Sequence, residues 1–257
     1  MKIVGVIPAR YKSSRFPGKP LADICGKPMI WWVYHRCKKV EEFDEVYVAT
    51  DDERIKSVCE AEEIKVVMTS EQHKTGTDRV AEVAEKIYGD LFVIVMGDEP
   101  LVSPDNIRAL ISAMKKDTKY DGGMLCEKFK STVDVINSTT IKLAINSNKE
   151  LIYMSRLPIP FPKAFLNYDH YKNVGVYAFT NKVLKQFNET ARGPLEEAED
   201  CEMLRLLENH KLVKVVEIES SSMSVDTEKD LVRIRKVIEK EISLNEMGFR
   251  NEQNTDP

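Results

Sequence analysis

Four cations follow the first apolar run of the chain, residues 3–7, in a loop that could bind phosphate. No acidic residue precedes Asp23, and the loop contains Arg10, Lys12, Arg15 and Lys19. The whole chain has a formal net charge of −4 at pH 7, so the overall charge does not explain this cluster of cations, and a function of the loop itself must. A strand, a cationic glycine-containing loop and a helix form phosphate sites in several folds. The loop therefore predicts a polyphosphate site.

Two familiar phosphate motifs are absent from this loop. It has no G-x-G-x-x-G, and proline follows both Gly-Lys pairs, at 18–19 and 26–27, where a P-loop needs Ser or Thr. The remaining phosphate ligands are backbone N–H groups and the side chains of Ser13, Ser14, Arg10 and Lys19. The alternative is a solvated basic loop, with Lys12 and Arg15 only flanking the site.

Two aspartates are candidates for binding Mg²⁺. Asp98 follows the apolar run 91–95, and Asp226 precedes a helical pattern far along the chain. Protein sites for Mg²⁺ commonly use one or two carboxylates, with waters and substrate phosphates as the other ligands. Taken singly, Asp98 is also explained as a turn residue and Asp226 as a helix cap.

The elements that must position these residues alternate through the first half of the chain. Because the strands are apolar on both faces, this pattern indicates an α/β fold with helices on both sides of a mostly parallel sheet. Ligands of such sheets bind at the carboxyl ends of the strands. The predicted strands are KIVGVI, EVYVAT, IKVVMT and LFVIVMGDEP, the last ending in a turn, and the predicted helices are KPMIWWVYHRCKKV, DDERIKSVCEAEE, TDRVAEVAEKIYG and SPDNIRALISAMKK.

The second half is less regular. The predicted strands are GGMLCEKF, TIKLAI, ELIYMSR, VGVYAF and LVKVVEI, and the predicted helices are KVLKQF, residues 196–209 and EKDLVRIRKVIEKEI. We expect one domain over residues 1–244 and a disordered polar tail over 245–257.

Composition excludes several classes of protein. The five cysteines are scattered without a C-x-x-C, which argues against a disulfide framework or a cysteine zinc site and fits a reducing compartment. The chain enters its first strand without a leader-like segment, and no uncharged run is long enough to span a membrane. The acidic balance argues against nucleic-acid binding. We expect a cytoplasmic protein with neither a membrane nor a nucleic acid as partner.

Several short strings carry a family resemblance, in one order: PARYKSSRFPGKPL, GKPMI, VATDDERI, HKTGTDRVAEV, GDEP, YMSRLPIPF, VGVYAF, PLEEAEDCEMLRLLE and VDTEKDL. Together they resemble the 3-deoxy-manno-octulosonate cytidylyltransferases (CMP-Kdo synthetases), sugar nucleotidyltransferases, over residues 1 to about 235. The resemblance implies a Rossmann-like nucleotide-diphospho-sugar transferase fold. It also implies a smaller inserted region, about 122–179, that carries the sugar pocket and a homodimer contact.

The resemblance also implies the reaction and its residues. A hydroxyl of an acidic 2-keto-3-deoxy sugar attacks the α-phosphorus of CTP, and pyrophosphate leaves. Asp98 and Asp226 hold Mg²⁺, while Arg10 and Lys19 stabilise the triphosphate. The implied nucleotide contacts are Pro8, Ala9, Arg10, Ser13, Ser14, Lys19, Thr75, Gly76, Thr77 and Arg79. The implied sugar contacts are Met96, Arg156, Asn173, Tyr177, Glu196 and Glu199.

Purely structural roles are the alternative for some of these residues. Thr77 or Asp78 could simply cap a helix, and His73 fits a surface loop better than a ligand site. Glu196 and Glu199 fall in a first helical turn, where acidic side chains are stabilised by the helix dipole and usually face water.

Two positions depart from the family pattern. Most members carry Gln at the position of Met96 and His at that of Asn173. Both positions border the family's sugar pocket, so we expect a modified acceptor such as an amino-substituted octulosonate or a nonulosonate. The alternatives are a nonulosonic-acid cytidylyltransferase and a non-catalytic nucleotide-binding protein, and retention of Arg10, Lys19 and both aspartates argues against the latter.

Overall fold

A computed structural model describes residues 1–12, 16–164, 168–219 and 223–253, with side chains through residue 244. Ser13, Ser14 and Arg15 lie outside the described residues.

One large sheet organises the molecule. Its strands are β1 (Ile3–Ala9), β4 (Glu45–Thr50), β5 (Val66–Met68), β6 (Leu91–Val95), β7 (Gly122–Lys128), β8 (Lys142–Ile145), β9 (Leu151–Ser155), β10 (Tyr171–Thr180) and β11 (Val213–Ile218). Their order is β11-β7-β10-β6-β1-β4-β5, with β8 also paired to β10 and β9 paired to β8. β6, β1, β4 and β5 are parallel, as are β7 and β11, whereas β10 is antiparallel to β6, β7 and β8. The predicted mixed sheet is confirmed.

Helices cover both faces of the sheet. They are α1 (Met29–Cys37), α2 (Glu53–Ala61), α3 (Gly76–Lys86), α4 (Pro104–Lys116), α5 (Thr132–Val135), α6 (Asn181–Glu189), α7 (Pro194–Glu199), α8 (Met203–Glu208) and α9 (Glu228–Gln253). Alternate residues of β1 enter opposite cores: Ile7 joins a cluster with α1, α2 and α4, and Val6 joins one with α3, α6 and α8. Burying one such aliphatic side chain stabilises the fold by about 1.5–3 kcal/mol.

Three features differ from the predicted elements. Residues 196–209 form two helices rather than one, because Asp200 adopts a left-handed conformation (φ 51°) that ends α7. A two-stranded ribbon of β2 (Asp23–Ile24) and β3 (Lys27–Pro28) was not predicted, since its strands are two residues long. The last helix extends beyond the predicted EKDLVRIRKVIEKEI, because α9 continues to Gln253 through residues with no proline to stop it.

The region about 122–179 is largely continuous with the main sheet. Its β7 and β10 are central strands, and only the β8–β9 pair and its connecting loops project from them. Within the described residues, none of the helices is both long and apolar enough to cross a bilayer.

Candidate active site

Two cavities meet at the carboxyl ends of β1 and β6, on either side of Met96. The larger, about 310 Å³, is bordered by the predicted residues Met96, Asp98, Arg156, Asn173, Tyr177 and Asp226. The smaller, about 150 Å³, is bordered by Pro8, Ala9, Arg10, Thr75, Gly76 and Arg79. Most of the residues that the resemblance assigns to the sugar border the larger cavity, and most of those that it assigns to the nucleotide border the smaller one.

Lys19 joins the first loop to the two aspartates. Gly18 precedes it in a left-handed conformation (φ 71°) and donates its N–H to the carbonyl oxygen of Tyr11 at 2.9 Å, which closes the loop. The Lys19 ammonium donates to Oδ2 of Asp98 at 2.6 Å and to the carbonyl oxygen of Val225 at 2.9 Å. The lysine therefore contacts both segments that carry a predicted metal ligand.

Asp98 and Asp226 are held together by the backbone as well. The N–H of Val225 donates to the carbonyl oxygen of Asp98 at 2.9 Å, and both carboxylates border the larger cavity. Thr227 and Asp230 exchange hydrogen bonds at the start of α9, so Thr227 rather than Asp226 has the capping position. The two aspartates fit a Mg²⁺ site that completes its coordination with water and phosphate oxygens. No larger cluster of metal-ligating side chains occurs in the described parts of the chain.

The N-terminus of α3 forms one wall of the smaller cavity. Thr75 caps the helix, because its hydroxyl accepts from the Asp78 N–H and the Asp78 carboxylate accepts from the Thr75 N–H. The expected cap at Thr77 or Asp78 is therefore wrong. Gly76 and Thr77 donate their N–H groups to Glu202 at 3.1 and 2.8 Å. Thr77 is buried and does not border the smaller cavity.

Glu202 was missed by the sequence reasoning. It borders the smaller cavity and lies against a helix N-terminus, 125 residues away from Thr77 in sequence. Burial raises the pKa of its carboxyl group, and Asp78 acts in the same direction, although the N–H groups of Thr77 and Gly76 oppose the change. No sequence pattern marks this residue, because its direction depends on the left-handed turn at Asp200.

Arg79 and His73 complete the smaller cavity. Arg79 is buried and fixed by Asp51 at 3.0 Å and by the Thr69 hydroxyl. His73 contacts the Glu82 carboxylate through Nε2 at 2.5 Å and borders the cavity, which corrects its expected surface position. Lys12, whose side chain is 90% exposed, stays outside, as its predicted flanking role requires.

Arg156 reaches the larger cavity from the end of β9. Its N–H donates to the Glu199 carboxylate at 2.9 Å and its Nε donates to the Glu199 carbonyl at 2.8 Å. Glu199 borders neither cavity, so its expected contact with the sugar is replaced by orientation of Arg156.

Glu196 is also misplaced by the sequence interpretation. It is fully buried, and both of its carboxylate oxygens accept from Arg205, at 2.6 and 2.7 Å. Arg205 also pairs with Asp78 at 2.9 Å, and Arg192 donates to Glu196 at 3.2 Å. Glu196 therefore belongs to a buried ion network that joins α7, α8 and α3, outside both cavities.

Met96, Asn173 and Tyr177 stand together on the larger cavity. The Asn173 amide and the Tyr177 hydroxyl lie 2.6 Å apart. Burial raises the Tyr177 pKa, although the hydrogen bond with Asn173 opposes the change. Gly175 allows this packing, since a Cβ there would lie 3.0 Å from Met96 Cβ and from Glu99 Oε1. Both departures from the family pattern thus fall on the cavity wall.

The comparisons with known proteins agree with this geometry. The cytidylyltransferase family model matches residues 4–218. The 3-deoxy-manno-octulosonate cytidylyltransferase of Escherichia coli is 37% identical, covering 95% of this chain and 99% of its own. That of Geobacter metallireducens is 43% identical, with 93% and 98% covered.

The chain belongs to the 3-deoxy-manno-octulosonate cytidylyltransferase family.

A solved structure extends the match to three dimensions. The CMP:2-keto-3-deoxy-manno-octonic acid synthetase complexed with CTP superposes with a TM-score of 0.90 at 37% identity, covering 94% of this chain and 100% of that one. A putative glucose-1-phosphate thymidylyltransferase from Bacillus anthracis, at 16% identity and a TM-score of 0.68, shares the fold. The family membership and the nucleotidyltransferase fold that the motifs predicted are confirmed.

Proposed function

We propose that this protein transfers the CMP group of CTP to 3-deoxy-manno-octulosonate (Kdo) or a close analogue, with release of pyrophosphate. The observation that carries the proposal is the convergence of Lys19, Asp98 and Asp226 at one edge of a cavity whose other wall holds Arg156. We call the larger cavity the acceptor cavity and the smaller one the nucleotide cavity.

The nucleotide cavity supplies the surroundings that a nucleoside triphosphate needs. Arg10 and Lys74 are exposed cations on its wall, and Arg79 is a buried one. Cations at these positions favour binding of the phosphates and stabilise the charge that moves to the leaving pyrophosphate. Positioning and charge stabilisation supply most of the catalysis in such transfers.

The acceptor cavity suits an acidic polyol. The guanidinium of Arg156 donates only to neutral carbonyl oxygens, and it forms no ion pair among the residues that the structure describes. The Glu199 carboxylate accepts from the backbone N–H of Arg156 and not from its side chain. The guanidinium therefore retains its charge for the carboxylate of the acceptor. Thr139, Thr140 and Asn173 add hydrogen-bonding groups for hydroxyls.

Cytidylyl transfer generally requires a divalent metal ion. Asp98 and Asp226 would hold that ion as Mg²⁺. The ion supplies charge neutralisation between the acceptor and the α-phosphate. Lys19 holds the Asp98 carboxylate at the cavity edge and adds a positive charge there, and the Arg156 charge orients the acceptor so that its hydroxyl faces the α-phosphorus. The test is pyrophosphate release from CTP, which depends on an acidic 2-keto-3-deoxy sugar and on Mg²⁺.

We infer that the protein is a homodimer through loops of the region about 122–179. Phe161 and Leu157 are 81% and 70% exposed there, and Val133 in α5 and Ile136 directly after it are exposed as well. A subunit contact through this region would cover these four exposed apolar side chains. Light scattering should give twice the chain mass of 29.4 kDa, and a single-chain mass would contradict the inference.

The free state of all five cysteines supports a cytoplasmic location.

A further inference from the structure

A lysine with no exposure to solvent lies beside the acceptor cavity. Lys142 is the first residue of β8 and is 0% exposed. Its ammonium donates to three backbone carbonyl oxygens, of Asn137 at 2.7 Å, Thr140 at 2.9 Å and Arg156 at 2.7 Å. All three ammonium protons are therefore used, and every acceptor is a neutral carbonyl group.

These three contacts tie two walls of the acceptor cavity to one point. Arg156 belongs to the end of β9, where Ser155 is the register partner of Lys142. Thr139 and Thr140 belong to the loop before β8, and both border the cavity. The Asn137 carbonyl also accepts from the Thr140 N–H at 3.2 Å, so the lysine closes this loop from within. Loss of the ammonium would take a donor from all three carbonyls and leave the Asn137 carbonyl with the Thr140 N–H alone.

The charge of Lys142 has no carboxylate partner among the residues that the structure describes. Lys172 on the adjacent strand β10 differs, because Glu127 lies 3.2 Å from its ammonium. Burial lowers the Lys142 pKa and the Arg156 charge lowers it further, while Glu199 acts against this change. A buried cation without a counterion is costly. An acceptor carboxylate in the neighbouring cavity would offset that cost.

We propose that Lys142 is a positioning residue of the acceptor site, which fixes Arg156 and the 137–140 loop and keeps a positive potential beside the acceptor carboxylate. The inference rests on the proposed function, since it specifies how that site recognises its anionic substrate. Lys142 borders neither cavity, so it acts through the groups that it holds.

Steady-state kinetics of Lys142→Met test the proposal. The substitution keeps the length of the side chain and removes its charge and donors. We expect the KM for Kdo to rise about tenfold or more, with the KM for CTP unchanged within about twofold. Lys149→Met, in the turn at the other end of the β8–β9 hairpin, is the matched control and should leave both KM values unchanged.

A double-mutant cycle with Arg156→Met distinguishes an effect of Lys142 that acts through Arg156 from a general loss of rigidity in the acceptor site. If Lys142 acts through Arg156, Lys142→Met should change the KM for Kdo much less in the Arg156→Met background than in the wild type. Fully multiplicative effects, or an unchanged KM for Kdo in folded Lys142→Met, would overturn the proposal. Lys142→Gln, which retains a donor, takes its place if the methionine variant does not fold.

Calorimetric titration with Kdo keeps the two proposals distinguishable. Wild-type turnover with an unaltered KM in the Lys142 variants contradicts only the role of Lys142. A wild-type protein that neither binds nor turns over any acidic 2-keto-3-deoxy sugar contradicts both.

Discussion

The ammonium of Lys19 lies 2.6 Å from Oδ2 of Asp98, across 79 residues of sequence. This contact connects the cationic loop after β1 with the carboxylate that follows β6. Because β1 and β6 are adjacent parallel strands, their carboxyl ends meet at one edge of the sheet. Lys19 and Arg10 therefore lie at this edge, where the prediction of a local site for the loop requires them.

Lys19→Met should lower pyrophosphate release about 10²- to 10³-fold, because one stabilising charge is removed from the reacting centre. Lys12→Met is the control, since Lys12 is 90% exposed and its ion pair with Glu71 spans 3.9 Å. That control should retain activity within about twofold. Equal activities of the two variants, measured by a coupled pyrophosphate assay, would contradict the role of Lys19.

Glu202→Gln should raise the KM for CTP about tenfold, because Gly76 and Thr77 lose a charged acceptor and the nucleotide-cavity wall loosens. The KM for the acceptor should change little. Glu197→Gln provides the control, because Glu197 is an exposed residue of α7. A rise in the KM for the acceptor alone would contradict the assignment of Glu202 to the nucleotide cavity.

Arg205→Met should destabilise the protein by about 3–5 kcal/mol, because it leaves the buried Glu196 carboxylate without its main partner. Urea unfolding measures the loss. At temperatures where the variant is folded, both KM values should match the wild type. If Glu196→Gln instead raised the acceptor KM without a loss of stability, Glu196 would be a sugar ligand after all.

Stability should fall in acid partly through Glu82. Burial alone would raise its pKa, but hydrogen bonds from Lys86, the Ser70 N–H and His73 outweigh burial and lower it to about 2. A depressed folded-state pKa contributes stability above the ordinary value, and the contribution is lost as pH falls from about 5 to about 2.

The unfolding free energies of wild type and Glu82→Gln measure this contribution. Their difference should be about 1–2 kcal/mol near neutral pH, after allowance for solvent screening, and should shrink toward zero near pH 2. A difference that does not vary with pH would show that the Glu82 charge is not responsible.

Strands and most helices were predictable because burial pattern and caps act locally. The seven buried residues of β1 and the Asp52 cap of α2 are direct examples. Asp98 was predictable for the same reason, since the end of an apolar strand marks its place at the ligand edge. The resemblance added Asp226, whose distance in sequence conceals its proximity to Asp98.

Residues whose roles depend on chain reversals were not predictable. The left-handed turn at Asp200 directs Glu202 toward α3, whereas Glu196, one turn earlier, faces the buried Arg205. The role of Lys142 likewise depends on three carbonyl groups from two loops. Only the folded backbone brings such groups together, and no spacing rule anticipates them.

Pyrophosphate release from CTP and Mg²⁺ with a panel of acidic 2-keto-3-deoxy sugars, with Asp98→Asn as the inactive control, tests the central claim most directly. We predict release with Kdo or with an amino-substituted or nine-carbon analogue, and its loss in the control. A preference for an analogue would assign Met96 and Asn173 to acceptor specificity, and equal use of Kdo would remove that role. No release with any sugar from a protein that still binds CTP would contradict the account.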